Sequence, residues 1–218
     1  MSQLIHELLA TQKTEFDIFY KELNCQAINK VINLIIEQTG NIYFCGVGKS
    51  ENIASHTADM LKSIGIQAFR ISTINSLHGD MGVVKEKDIV FLYSKSGNTK
   101  ELLETAPYFQ KKKCYVIGVF CNPDAKLNKY CNLCVTLPCG KELDNGFDLV
   151  PTTSIVSFTV FCNLLVGGII HQKKIHLNEY GMNHPAGSIG KKIWATVEDV
   201  MFSLEEICCV EGKEKLRN

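Results

Sequence analysis

Apolar positions in the first forty residues recur at helical spacing: Leu4, Ile5, Leu8 and Leu9, then Phe16, Ile18, Phe19 and Leu23, then the stretch Ala27 to Gln38. Two N-terminal helices over about residues 1–38 are predicted. Beyond them, short apolar runs alternate with longer amphipathic ones. Ile42–Cys45, Ala68–Ile71, Ile89–Tyr93, Tyr115–Phe120 and Leu133–Leu137 are predicted strands, and Ser50–Ile64, Thr99–Lys112 and Asp124–Tyr130 are predicted helices. The strands show little internal alternation, so both faces of their sheet must be covered. Strands that alternate in this way with helices predict an α/β fold: a doubly wound five-stranded parallel sheet flanked by helices. Ligands of such sheets bind beyond the carboxyl ends of the strands.

The segment from Leu149 to Gln172 carries no formally charged residue and is long enough to span a bilayer. Thr152, Thr153, Ser154, Ser157, Thr159 and Asn163 stud it, and no Trp or Tyr flanks it as an interfacial anchor. A buried helix, central or at a subunit interface, is expected, and no membrane contact. With 218 residues, 45% of them hydrophobic and 21% charged, the chain is long enough to bury a sizeable core. A single domain over residues 1–205 is expected, followed by a polar tail over 206–218. Lys+Arg and Asp+Glu number 23 each, so no global field argues for nucleic acid or an anionic surface.

Ten cysteines occur without the basic and apolar regions of a secretory leader, which fits a reducing, cytoplasmic setting with free thiols. Six of them (Cys45, Cys114, Cys121, Cys131, Cys134 and Cys162) sit in or beside apolar runs, where thiols pack as small hydrophobes. Cys131-Asn-Leu-Cys134, with Cys139 nearby, supplies half of a zinc pattern, but no second pair follows at finger spacing.

Two glycine-containing turns follow predicted strands. Cys45-Gly-Val-Gly-Lys-Ser50 misses the P-loop spacing, since position 43 is Tyr, and misses the dinucleotide fingerprint, since position 51 is Glu. What remains is a turn at Gly48 that lets backbone approach a ligand at a helix start, with Lys49 and Ser50 beside it, or simply a tight β-to-α turn. Ser94-Lys-Ser-Gly-Asn-Thr99 is more informative. The hydroxyls of Ser94, Ser96 and Thr99, a glycine and the open N–H groups of a helix start suit a dianionic phosphate monoester, although an ordinary N-cap needs only one of those hydroxyls.

Other polar residues gather at the same predicted edge. Glu101 falls in the first turn of the helix after that cup, where a carboxylate also favours the macrodipole. Lys141-Glu142 follows the fifth strand and precedes Pro151-Thr-Thr-Ser154, which opens the uncharged helix. Leu77-His78-Gly79-Asp80 lies in a loop after the second strand, and Asn183-His184-Pro-Ala-Gly187 in a turn before a short helix. A lone histidine such as His78 is as often a surface or packing residue as a functional one, and His184 suits a proton donor or no role at all.

Taken in order, GVGKS, SLHGDMG, SKSGNTKE, the Lys141-Glu142 pair, LVPTTS and NHPAGSIGKK resemble the sugar isomerase (SIS) domain, specifically its arabinose-5-phosphate isomerase branch. The resemblance covers about residues 30 to 201. It implies a five-stranded parallel sheet, a homotetramer, and interconversion of D-ribulose 5-phosphate and D-arabinose 5-phosphate, the first step toward the Kdo sugar of lipopolysaccharide. The family's functional positions fall on Lys49, Glu101, Glu142 and His184, and its phosphate-cup hydroxyls on Ser94, Ser96 and Thr99. The histidine of its HGD motif, which in the family can hold an inhibitory zinc, falls on His78. Neither a nucleotide, a redox cofactor nor a metal is implied as a requirement.

The resemblance also implies a division of labour in which Glu142 is the base, its pKa raised by a partly closed pocket, and His184 handles ring opening and hydroxyl protons, reaching across from a neighbouring subunit. Lys49 counters developing negative charge and Glu101 orients it or a substrate hydroxyl. Departures are visible. The family's HPGG reads His184-Pro-Ala-Gly187, and the stretch from Glu142 to Pro151 is unusually polar, with Asp144, Asn145 and Asp148. The family's tandem CBS modules would begin just after Thr196–Met201, and regulation through them is not expected here. Two alternatives stay open: another SIS isomerase acting on a heptose or hexulose phosphate, and a non-catalytic sugar-phosphate-binding regulator.

Overall fold

The computed structural model describes residues 2–185, 187–203, 205–207 and 212. Its contacts divide the chain into two units, Met1–Ile175 and His176–Asn218. Most of the expected tail over 206–218 lies outside the described residues.

The first unit opens with α1 (Ser2–Glu22) and α2 (Cys25–Glu37). Asn24 caps α2 by accepting the Ala27 N–H at 3.1 Å, and Ile28, Val31, Ile32 and Ile35 form its buried stripe. The sheet follows: β1 (Ile42–Cys45), β2 (Ala68–Arg70), β3 (Ile89–Ser94), β4 (Tyr115–Phe120) and β5 (Leu133–Thr136), all parallel, in the order β2-β1-β3-β4-β5. Chain order reverses direction at β1, where β2 and β3 lie on opposite sides. That switch point is where a doubly wound sheet opens a crevice beyond its strand ends.

Both faces of β1 and β3 are buried, which is why their sequences lack a polar alternation. The two-residue period still sorts side chains. Tyr43, Cys45, Val90 and Leu92 pack with Leu102, Ala106 and Phe109 of α5 (Lys100–Lys111). On the other face Phe44 stacks on Phe91 with ring centroids 4.5 Å apart, and Tyr93 meets Phe158 at 5.3 Å. Phe158 belongs to α6 (Thr153–Lys173), which packs against α2 and against α3 (Lys49–Ser63). By length and composition α6 could cross a membrane, yet half of its most apolar stretch is buried within the protein. Its buried positions, Ser154, Phe158, Phe161, Cys162, Leu165 and Ile169, recur at helical spacing as in a core helix.

Two local readings need correction. The helix expected over Asp124–Tyr130 is a 3₁₀ segment, Lys126–Tyr130. Asn122 and Asn98 take the N–H groups of Asp124 and Lys126 with their side-chain oxygens, which competes with an α-helical start. The loop expected around His78 contains a one-turn helix, α4 (Thr73–Ser76), capped by Ser72, and a 3₁₀ turn over Asp80–Val83.

The second unit holds α7 (Leu177–Met182), α8 (Gly187–Trp194) and α9 (Val197–Val200). Gly181 lets α7 sit close to α8, since a Cβ there would lie 2.8 Å from both Ile193 Cγ2 and Trp194 Nε1. Thr196 and Asp199 close a capping box at the start of α9.

Candidate active site

The turn from β1 into α3 is tight because Gly48 adopts φ +60°, and α3 begins immediately at Lys49, which is exposed, with Ser50 half-buried behind it. The buried Gly46 carbonyl accepts the Thr73 hydroxyl at 2.7 Å. Thr73's own carbonyl accepts the Thr105 hydroxyl of α5 at 3.2 Å. These two bonds tie the β1 turn, α4 and α5 together at the carboxyl edge of the sheet.

The neighbouring turn, from β3 into α5, carries the hydroxyls expected to form a cup. Ser94 Oγ is buried, lies 2.8 Å from Thr99 Oγ1, and accepts the Gly97 N–H at 3.0 Å. Ser96 Oγ accepts the Asn98 N–H at 3.1 Å. Thr99 is the N-cap residue of α5 but makes no side-chain capping bond, which leaves the first N–H groups of α5 to other acceptors. Gly97 is required, since it sits at φ +62° and a Cβ there would come 2.2 Å from Ala125 Cβ. Glu101 stands half-buried in the first turn of α5.

Glu142 belongs to the long connection between β5 and α6, and it is the most constrained acid here at 5% exposure. Its Oε2 accepts the Thr152 N–H at 2.8 Å, the Thr152 hydroxyl at 3.1 Å and the Ser154 N–H at 3.1 Å. Its Oε1 accepts the Ser154 hydroxyl and lies 3.0 Å from Lys95 Nζ. Burial pushes the Glu142 pKa up, but the Ser154 and Thr152 donors and the Lys95 ammonium overcome it and hold the group down to about 2. The raised pKa expected for Glu142 from a partly closed pocket is therefore corrected: Thr152 and Ser154 at the start of α6, with Lys95, supply donors that outweigh burial.

Lys95, placed between Ser94 and Ser96 in sequence, is the residue that sequence reasoning overlooked. Besides Glu142 it meets Asp148 Oδ1 at 3.0 Å. Burial lowers its pKa, and its two carboxylate partners more than reverse this, so the net direction is up. Beside this pair the thiols of Cys121 and Cys139 interact: the interaction and burial both raise Cys121, whereas for Cys139 the same interaction outweighs burial and the net direction is down. The eight described cysteines are all free thiols.

The remaining expected residues are His78 and His184. His78 is exposed, and its N–H bonds the Asn75 carbonyl at 2.8 Å. Among the described residues, no three or more His, Cys, Asp or Glu side chains gather as a metal site, at His78 or at Cys131 and Cys134. His184 lies in the second unit, half-buried, its ring tilted by 31° against that of Tyr180 with centroids 4.2 Å apart. Its Nδ1 donates to the Tyr180 carbonyl at 2.8 Å, because a carbonyl only accepts, which makes Nε2 the acceptor nitrogen when the ring is neutral. The structure thus brings Glu142 to Lys95 in the turn of Ser94, Ser96 and Thr99, with Lys49 and Glu101 on the adjoining helix starts.

An open five-stranded parallel sheet, with glycine-containing turns leading from β1 and β3 into helices at its carboxyl edge, defines the class as a doubly wound α/β domain. The chain belongs to the SIS-domain family, whose signature matches residues 35–167. It is 34% identical to an uncharacterized protein of Chlamydia pneumoniae over 94% of this chain and 62% of that one. It is 29% identical to the arabinose 5-phosphate isomerase KpsF of Escherichia coli, over 90% of this chain and 60% of that enzyme. The chain therefore spans about three-fifths of the length of these curated relatives. Among solved structures it superimposes with a TM-score of 0.78 on an Escherichia coli CFT073 protein in complex with arabinose 5-phosphate, at 28% identity, covering 84% of this chain and 96% of that one.

Proposed function

We propose that this protein is an aldose-ketose isomerase of sugar phosphates, acting on D-arabinose 5-phosphate and D-ribulose 5-phosphate. One observation carries the reading: Ser94 and Ser96 of the anion cup flank Lys95, whose ammonium lies 3.0 Å from the Glu142 carboxylate. The turn expected to anchor phosphate and an ionised carboxylate from the β5–α6 connection thereby meet at Lys95. The similarity to KpsF and to the Escherichia coli protein that holds arabinose 5-phosphate supports the choice of sugar.

Isomerisation removes the proton on C2 of the open-chain aldose, forms a 1,2-enediolate and returns a proton to C1, while the hydroxyl proton moves from O2 to O1. The phosphate binds the hydroxyls of Ser96 and Thr99 and the open end of α5, in a turn that Ser94 braces. Glu142, ionised across the working pH range, is the carbon base; its low pKa makes it a modest base in isolation, so orientation must supply much of its effect. Lys49 counters charge on the enediolate or phosphate, Glu101 orients a substrate hydroxyl, and His184 handles the ring oxygen through Nε2. The proton transfer is redox-neutral, so the scheme asks for no cofactor. On this reading the protein works as a cytoplasmic homotetramer at the entry to Kdo and lipopolysaccharide synthesis.

The direct test incubates the protein with EDTA and D-arabinose 5-phosphate and follows ribulose 5-phosphate, with Glu142→Gln as control. Turnover by the wild type alone supports the reading. Binding of the sugar phosphate without turnover, together with turnover of a heptose or hexulose phosphate, moves the substrate. Binding with no turnover of any of them makes the chain a sensor.

A further inference from the structure

The β5–α6 connection is folded around a carboxylate. Asp144 accepts the N–H groups of Asp148 at 2.8 Å, Leu149 at 2.6 Å and Val150 at 2.7 Å. This places Asp148 Oδ1, which accepts both the Glu142 N–H at 3.0 Å and the Lys95 ammonium at 3.0 Å. The polar residues that set this stretch apart in the sequence therefore join the main chain of Glu142 to Lys95.

The two oxygens of Glu142 are held differently. Oε2 is bound by two main-chain N–H groups and the Thr152 hydroxyl, so it is fixed to the start of α6. Oε1 is bound only by side chains, the Ser154 hydroxyl and Lys95. It is the oxygen that a side-chain movement exposes to a substrate carbon. Lys95 itself is one-third exposed, and its two carboxylate partners use two of its three ammonium hydrogens.

Resting on the isomerase reading, we infer that Lys95 is a positioning residue for Glu142: clamped by Asp148, it holds Oε1 in place for proton transfer and holds the β5–α6 connection against the phosphate cup. A proton shuttle depends on a carboxylate fixed in orientation, and a lysine shared by two acids fixes one without contacting the reacting carbon. The groups facing Glu142 are Lys95 from the β3–α5 turn, Asp148 from its own connection, Thr152 and Ser154 from α6, and Cys121 and Cys139 at the ends of β4 and β5; Glu15 of α1 lies against the nearby Gly140. Lys95 is the one cation among them. Its removal therefore acts on Glu142 with a definite sign.

The test compares wild type with Lys95→Met, Lys95→Gln and the charge-conserving Lys95→Arg. Two readouts are taken: NMR titration of carboxyl-labelled glutamate, with the Glu142 signal assigned through Glu142→Gln, and the pH dependence of kcat/KM for arabinose 5-phosphate. Loss of the charge is expected to move the Glu142 midpoint upward by about one to three on the pH scale, with the acid limb of kcat/KM following it. KM changes little, and Lys95→Arg keeps the acid limb low. A folded Lys95→Met or Lys95→Gln protein whose Glu142 midpoint stays in place overturns the proposal. So does an unmoved acid limb with a tenfold rise in KM, which would make Lys95 a phosphate ligand. If wild type fails to turn over the sugar while the Glu142 midpoint still follows the Lys95 charge, the isomerase reading falls and the clamp stands.

Discussion

The hydroxyls of Ser94 and Thr99 lie 2.8 Å apart across the turn from β3 into α5, and Ser94 Oγ also accepts the Gly97 N–H. Ser94 thus braces the turn, and with Ser94 as donor the Thr99 proton is left for an incoming anion at the start of the helix. Ser94→Ala and Thr99→Val are each expected to weaken binding of inorganic phosphate and of the sugar phosphate about tenfold, the effect of one hydrogen bond to a charged group. Isothermal titration calorimetry measures this. Unchanged affinity in both variants would remove the cup from the binding site.

The turn also depends on Gly97. An alanine there must adopt φ +62° and place its Cβ 2.2 Å from that of Ala125. The backbone cost and the clash together predict a loss of about 3 kcal/mol in stability, read from urea unfolding. A loss below about 0.5 kcal/mol, within the range of an ordinary surface substitution, would mean that the turn relaxes freely.

Much of this architecture is legible in the sequence. Tyr115–Phe120 is predicted residue for residue, and Ile42–Cys45 likewise, because a parallel strand buried on both faces leaves an unbroken apolar run. The hydroxyl cluster is legible because Ser94, Ser96 and Thr99 fall within one six-residue stretch. Lys95 is not, although it stands inside the same motif. Its partner Asp148 is 53 residues away, and a lysine between two serines has no local mark that distinguishes a clamp from a solvated side chain. The environment of Glu142 escapes for a related reason. Its donors come from Thr152 and Ser154, and only the folded β5–α6 connection turns those hydroxyls and N–H groups back onto the carboxylate.

That environment makes acid stability a direct measure of Glu142. Its pKa of about 2 in the folded protein lies below the ordinary value of 4.5. A carboxylate depressed in this way contributes stability that is fully present above pH 4.5 and is lost as pH falls toward 2. The contribution is on the order of 3 kcal/mol. Urea unfolding at about pH 6 and about pH 3 is expected to show wild type losing stability that Glu142→Gln, already lacking the charge, does not lose again. Parallel losses in the two proteins would show that the folded environment does not favour the ionised form.

The role of His184 predicts a kinetic signature that does not depend on where the second unit sits. Arabinose 5-phosphate closes to a furanose, so an enzyme that opens the ring draws on the whole pool, whereas one that cannot draws only on the open-chain fraction. With Nδ1 held by the Tyr180 carbonyl, Nε2 is the nitrogen available to the ring oxygen and its hydroxyl. His184→Ala is therefore expected to convert arabinose 5-phosphate in a small burst. The slow phase that follows stops rising as enzyme is added, because spontaneous ring opening then limits the rate. Ribulose 5-phosphate cannot close through its phosphorylated C5, so its initial conversion remains proportional to enzyme concentration. Stopped-flow and coupled assays over a range of enzyme concentrations separate the two cases. Strict proportionality for arabinose 5-phosphate at every enzyme concentration would assign His184 to a later proton transfer or to packing against Tyr180.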